Sequence, residues 1–271
     1  MVGSDRARRL RRIADRYGSA GGALLAGGLA YSALFAVVPA VVLVLGLVGL
    51  LLGEDADRTA VAEAIGRAIP PLRPLLEPAL DELAGLSASM SVLGLAVLVW
   101  GASRFASSLE IALALVFGGP GRRGLVGRQL FAFASVVALC LAVVAGSVMT
   151  GLASLVEASR LAGLAELADP LLGAALTLFA PGAGVVALAL AYRFVPPRAP
   201  RWRSIVLPAL TVGLVLALGT QAFVVLAPRL VGTAAVLGTL AAAFAALAWF
   251  GVTFQVLLLG AAWVAERELD G

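Results

Sequence analysis

The chain alternates between long uncharged runs and short segments that hold almost all of its charge. Residues 4–17, SDRARRLRRIADRY, place Leu10, Ile13, Ala14 and Tyr17 at helical spacing, with six arginines over the remaining surface and Ser4 where an N-cap is expected. This pattern predicts a short basic amphipathic helix suited to an anionic leaflet. No charge occurs from Gly18 to Gly53. A first membrane span is predicted over 23–52, with Tyr31 inside it and a kink at Pro39. Residues 54–86 are polar again. Their two stripes, Val61/Ile65/Ile69 and Leu72/Leu76/Leu80/Leu83, predict two short amphipathic helices against the outer surface. Further spans are predicted over 88–117, 129–156, 171–192, 205–227 and 236–265. The expected fold is all-α, a polytopic membrane bundle of six transmembrane helices with short interfacial helices. A cytoplasmic basic segment (1–22) precedes the transmembrane domain (23–265), and a cytoplasmic tail (266–271) follows it.

Composition agrees. Hydrophobic residues make up 61% of the chain and charged residues 13%, more apolar surface than a soluble domain of 271 residues needs. Every basic residue is arginine, which reads as codon bias and carries little functional information. There is no histidine, and Cys140 is the one cysteine, so an intrachain disulfide and a Cys/His zinc site are excluded. The commonest general base is missing as well, no serine stands with a base, and the expectation is a protein without catalysis, cofactor or metal.

The arginines are distributed by side. The N-terminal segment, the loop between the second and third spans, the 193–204 loop and the tail hold 14 of the 20, and ten of the 16 acids lie in the opposite connections. The positive-inside rule then places both termini in the cytoplasm. The net charge of +4 accordingly implies anionic lipid on the cytoplasmic side as partner, and no nucleic acid.

The second span is the one that carries charge in its interior, at Arg104 and Glu110. A charge in hydrocarbon is costly unless it is paired, wet or close to an interface. From Leu86 to Phe117 a continuous helix is about 48 Å long against a hydrocarbon core of ~30 Å, so part of it leaves the hydrocarbon or tilts. Six residues separate the two charges, which puts their side chains about 120° apart and makes a direct pair in one straight helix unfavourable. Ser103, Ser107 and Ser108 make one side of this helix polar, and Arg104 is expected to face inward with them. Tyr31, Gln221 and Gln255 are the polar groups that other spans offer. The plainer readings are that Arg104 snorkels to an interface and that the glutamines form interhelical hydrogen bonds. In the 193–204 loop, Arg198, Arg201, Trp202 and Arg203 are candidate contacts to anionic headgroups, with ordinary interfacial anchoring as the simpler account. GGPGRRG (118–124) lacks the phosphate-loop pattern and reads as a tight turn. GxxxG spacings at Gly18/Gly22 and Gly49/Gly53 report close packing first; a homo-oligomer is left open.

Four blocks together resemble the YihY/BrkB family of bacterial inner-membrane proteins: GGLAYSALFAVVPAVVLVLGLVG, VLVWGASRFASSLEIAL, YRFVPPRAPRWRSIVLPA, and the stretch from Thr233 ending LLLGAAWVAE. The loop block and the Leu-Gly-Ala before the acidic tail are the most specific. The family pattern has an amide or acid followed by Asn after the Arg104 block, whereas here Glu110 is followed by Ala112 and Leu113. The resemblance implies an integral inner-membrane protein, with members labelled as virulence factors and as presumed transporters. An older ribonuclease label conflicts with the lack of histidine and of an acidic cluster on the arginine-rich side. The function expected is transport or export of an amphiphilic or lipid-like solute. The rival is an envelope protein that scaffolds partners or organises lipid without transporting.

Overall fold

A computed structural model describes residues 2–36, 88–119, 182–196, 199–232 and 238–270. These residues form helices and, among them, no strand. In chain order the helices are α1 (Val2–Ser19), α2 (Gly22–Ala36), α3 (Ala88–Phe117), α4 (Gly182–Phe194), α5 (Trp202–Gly232) and α6 (Gly238–Asp270). Several expectations lie outside the described residues: the Pro39 kink, the amphipathic stripes of 54–86, the 120–124 part of the turn, the third span with Cys140, the first part of the fourth, and Arg198.

The all-helical class and the membrane character stand. In α5 the stretch Trp202–Leu226, and in α6 the stretch Ala243–Asp270, are long and apolar enough to cross a bilayer; the bent pair α1–α2 makes a third if it counts as one span. α3 occupies the bounds predicted for the second span. Two ends differ. α1 begins at Val2, so Ser4 lies in its first turn and does not cap it. α6 runs past Ala265 to Asp270, so the acidic tail is the last turn and a half of a helix, with Arg267 suitably placed against its C-terminal dipole.

α6 is the centre of the described bundle and packs on α5, α1 and α3. Its Leu258, Ala261, Ala262 and Val264 are wholly buried, as are Ile205 on α5, Ala112 and Leu113 on α3, and Ala26 on α2. Half of these eight are alanine, which suits helices in lipid, since they associate by close van der Waals packing and not by expelling water. Glycines mark the tightest crossings. A Cβ at Gly101 would stand 2.9 Å from the Phe35 carbonyl oxygen, where α2 and α3 cross backbone to backbone. The outward faces are apolar: Leu214, Leu218 and Phe244 are each at least 60% exposed, a surface that suits acyl chains.

Candidate functional site: an ionic junction and a polar seam

The first site forms where α1 turns into α2. Gly21 has φ +69°, a left-handed conformation that a glycine adopts at no steric cost, and its N–H closes on the Gly18 carbonyl at 2.9 Å. The axes of α1 and α2 meet at 60°. The Tyr17 ring lies where a Cβ on Gly22 would stand, so a larger residue there would have to push the ring aside. Burial pushes the Tyr17 hydroxyl pKa up. Through this bend α1 folds back over the end of α6, with Ile13 and Tyr17 against the core and a row of arginines, Arg9, Arg12 and Arg16, along the junction.

That row meets a complementary one. Arg16 Nε donates to Glu266 Oε1 at 2.7 Å, and Arg12 Nε approaches Glu266 Oε2 at 3.2 Å. Arg9 and Arg12 reach Asp270 at 3.1 and 3.5 Å. Glu266 is only 7% exposed, so its two guanidinium partners are what keep a charge tolerable there. Arg16 Nη1 also donates to the Val116 carbonyl at 3.3 Å. That carbonyl is available because α3 ends in a Schellman motif. Gly118, φ +71°, donates to Leu115 at 3.1 Å and Gly119 to Ala114 at 3.0 Å, which leaves Val116 to an outside donor.

The 193–204 loop closes the same end. Arg193 Nη1 donates to the Pro200 carbonyl at 2.7 Å, and its guanidinium stands 5.9 Å from the centre of the Trp202 ring, within cation–π range. At the start of α5, the Arg201 backbone N–H donates to Glu268 Oε2 at 3.0 Å. Arg267 Nη2 donates to the Arg203 carbonyl at 3.3 Å. Below the loop, the wholly buried Tyr192 donates its hydroxyl proton to the Leu257 carbonyl at 2.7 Å. It can do so because Gly260 has no side chain: a Cβ there would collide with the Tyr192 hydroxyl. The N-terminal segment, the start of the 118–124 turn, the 193–204 loop and the end of α6 therefore share one end of the bundle.

The second site is a polar seam between α2 and α3. Ser32 Oγ and Ser108 Oγ are 3.3 Å apart, Ser108 donates to the Arg104 carbonyl at 3.0 Å, and Ser107 donates to the Ser103 carbonyl at 2.6 Å. Ser32 also lies within hydrogen-bonding distance of the Gly28 carbonyl. Two hydroxyl protons thus serve three acceptors, which leaves oxygen lone pairs free for a further donor. At ~1.5 Å per residue from Val116, Glu110 lies about 9 Å, Ser108 about 12 Å and Arg104 about 18 Å from the arginine-rich end, within a hydrocarbon thickness of ~30 Å.

The seam differs from its sequence reading in one respect. Glu110 is 6% exposed and faces the core, while Arg104 is exposed on the outer side of α3, not turned inward with the half-buried serines. The physical reason is size. Serine satisfies itself on its own helix and fits a close crossing, whereas a guanidinium does not fit beside the Gly101 contact. Tyr31 lies at the surface of α2 against Phe35, 4.8 Å between ring centres, and Gln221 and Gln255 are exposed on α5 and α6. These three are not drawn into one buried site with Arg104. Among the loop candidates, Arg201 and Arg203 are exposed and Trp202 is half exposed beneath Arg193.

The model of the family described as Virulence factor BrkB matches residues 13–270. The chain belongs to the BrkB family. No curated protein and no solved structure matches it. In this BrkB-family chain the loop block and the Leu-Gly-Ala block touch, through Tyr192 and Gly260, and the acid that closes the second block is Glu266. The junction was missed in the sequence although its signal was present: Arg9, Arg12 and Arg16, and likewise Glu266 and Asp270, recur at three- and four-residue spacing, one helical face each.

Proposed function

We propose that this BrkB-family chain is a six-span protein of the cytoplasmic membrane, both termini inside, that moves an amphiphilic or lipid-like solute across the bilayer. The observation that carries the reading is Arg104, exposed on the outer side of α3 about 18 Å from the arginine-rich end, one helical turn from Ser108, whose hydroxyl bonds the Arg104 backbone carbonyl. A guanidinium on the outer side of α3 at that depth suits a solute whose polar head meets it while its tails stay in lipid. A small ion would need an enclosed path, and an acid ladder for proton or cation relay is not present in the sequence. The orientation rests on the arginine-rich end facing the cytoplasm.

The test is head-group translocation of fluorescent phospholipids in proteoliposomes. The native chain should transport, and Arg104→Gln should abolish transport while the protein still inserts and accumulates. A native chain that inserts correctly and moves none of a panel of anionic and zwitterionic lipids would favour the scaffolding alternative. An Arg104→Gln protein as active as the native one would leave Arg104 a snorkelling residue.

A further inference from the structure

Between α1, the start of α5 and the end of α6 lies a cleft of about 250 Å³, lined by Arg9, Arg203, Ser204, Arg267 and Asp270. At ~30 Å³ per water in the liquid, this is room for about eight waters, ample for a tetrahedral oxyanion and part of its hydration shell. We propose that the cleft is a binding site for a phosphate group, presented either by an anionic lipid or as a free phosphate.

Charge is the first argument. Three guanidiniums face one carboxylate, and that carboxylate is already held by Arg9 at 3.1 Å and Arg12 at 3.5 Å. The other two acids at the end of α6 are committed as well, Glu266 to Arg16 and Arg12, and Glu268 to the Arg201 N–H. Arg203 and Arg267 therefore bring positive charge to the cleft that the neighbouring carboxylates do not balance. Geometry is the second. The bond from Arg267 Nη2 to the Arg203 carbonyl uses one of five guanidinium N–H groups and fixes the rest beside the cleft, and the buried Ser204 adds a hydroxyl. Planar N–H forks set around a small opening match phosphate oxygens, and the same arginines packed together without an anion repel one another. Location is the third. The cleft sits where the apolar stretches of α5 and α6 end, at headgroup depth if they span a bilayer. This site is separate from the seam on α3 and does not depend on transport.

The experiment uses the full chain in detergent and in nanodiscs. Native mass spectrometry would measure retention of phosphatidic acid and phosphatidylglycerol against phosphatidylcholine, and a thermal-shift series in lipid-free detergent would use inorganic phosphate against chloride at equal ionic strength. For the pair Arg203→Gln/Arg267→Gln, retention of the anionic lipids should fall about thirtyfold, or ~2 kcal/mol at ~1 kcal/mol per arginine. The control pair Arg8→Gln/Arg11→Gln removes the same charge from α1 outside the cleft and should change retention less than threefold. Protection by inorganic phosphate that the cleft pair loses would assign a free phosphate; lipid retention without such protection would assign a headgroup. Equal losses in the two pairs would mean a diffuse positive surface, and no loss in either would mean no site; both overturn the proposal. If the double variant does not accumulate, Arg203→Gln alone decides by the same comparison with a fivefold fall, because it keeps the carbonyl that Arg267 uses.

Discussion

Arg16 and Glu266 are 250 positions apart and meet at 2.7 Å, Nε to Oε1, with the arginine 23% and the glutamate 10% exposed at their side chains. Removing one partner strands the other in a nearly buried place, which costs up to about 3 kcal/mol for a charge left unpaired at this depth. Glu266→Gln should therefore lower the melting temperature in detergent by several degrees. Arg9→Gln, which touches an exposed Asp270, should stay within about 0.5 kcal/mol of the native chain. A melting temperature for Glu266→Gln equal to that of Arg9→Gln would show that the junction is ornamental to stability.

Salt should separate the same two layers. Exposed pairs are screened over about 10 Å at 0.1 M, so Arg9–Asp270 weakens as salt is raised while Arg16–Glu266 holds. Proteolysis of α1 at 0.05 and 0.5 M NaCl is the measurement. Cleavage should rise with salt around Arg8–Arg12 and remain slow after Arg16.

Tyr192 and Gly260 act as one unit. Tyr192→Phe deletes a buried hydroxyl bond worth about 1 kcal/mol. Gly260→Ala should cost more, since its methyl would take the place of the hydroxyl and also meet Val212. In the double variant the two losses should fall short of their sum by at least ~0.5 kcal/mol, because the ring without its hydroxyl makes room for the methyl. Additive losses in thermal or denaturant unfolding would break this coupling.

At the α2–α3 crossing, Gly101→Val should be poorly tolerated because the neighbour that would have to move is the Phe35 carbonyl, backbone and not side chain. Reduced accumulation and faster unfolding are expected. Gly182→Ala, where nothing lies within 4 Å, is the control and should be neutral.

Topology is checked by reporters fused after Gly271, near Pro120 and within 55–82. The first two should report the cytoplasm and the third the outside. A C-terminal reporter outside would mean an odd number of spans.

The bounds of α3 were legible because a long apolar run, ended by Gly118 and Gly119, has one simple helical solution. The α1–α2 junction was half legible. The switch from an arginine-rich amphipathic pattern to an uncharged one marked the boundary, but a 60° bend depends on one glycine at φ +69° that spacing does not announce. The ionic junction lay in plain view as two spaced sets of charge. It was overlooked because an acidic segment after a span reads as solvated until helix geometry carries it onto a partner 250 residues away. The outward position of Arg104 was not legible at all, since polarity on one side of a helix does not say which polar side chain is small enough for a crossing.

The fold-back at Gly21 also sets a schedule. At ~5–20 residues per second, Glu266 leaves the ribosome about 12–50 s after Arg16, so the first helix made must wait for the last one. During that wait Arg9, Arg12 and Arg16 lack the carboxylates of Glu266 and Asp270, and lipid phosphates are the anions that the membrane surface offers in their place. Docking of α1 is then a closing step of biogenesis, and a chain cut short of Glu266 is left with a basic helix that lacks its carboxylate partners.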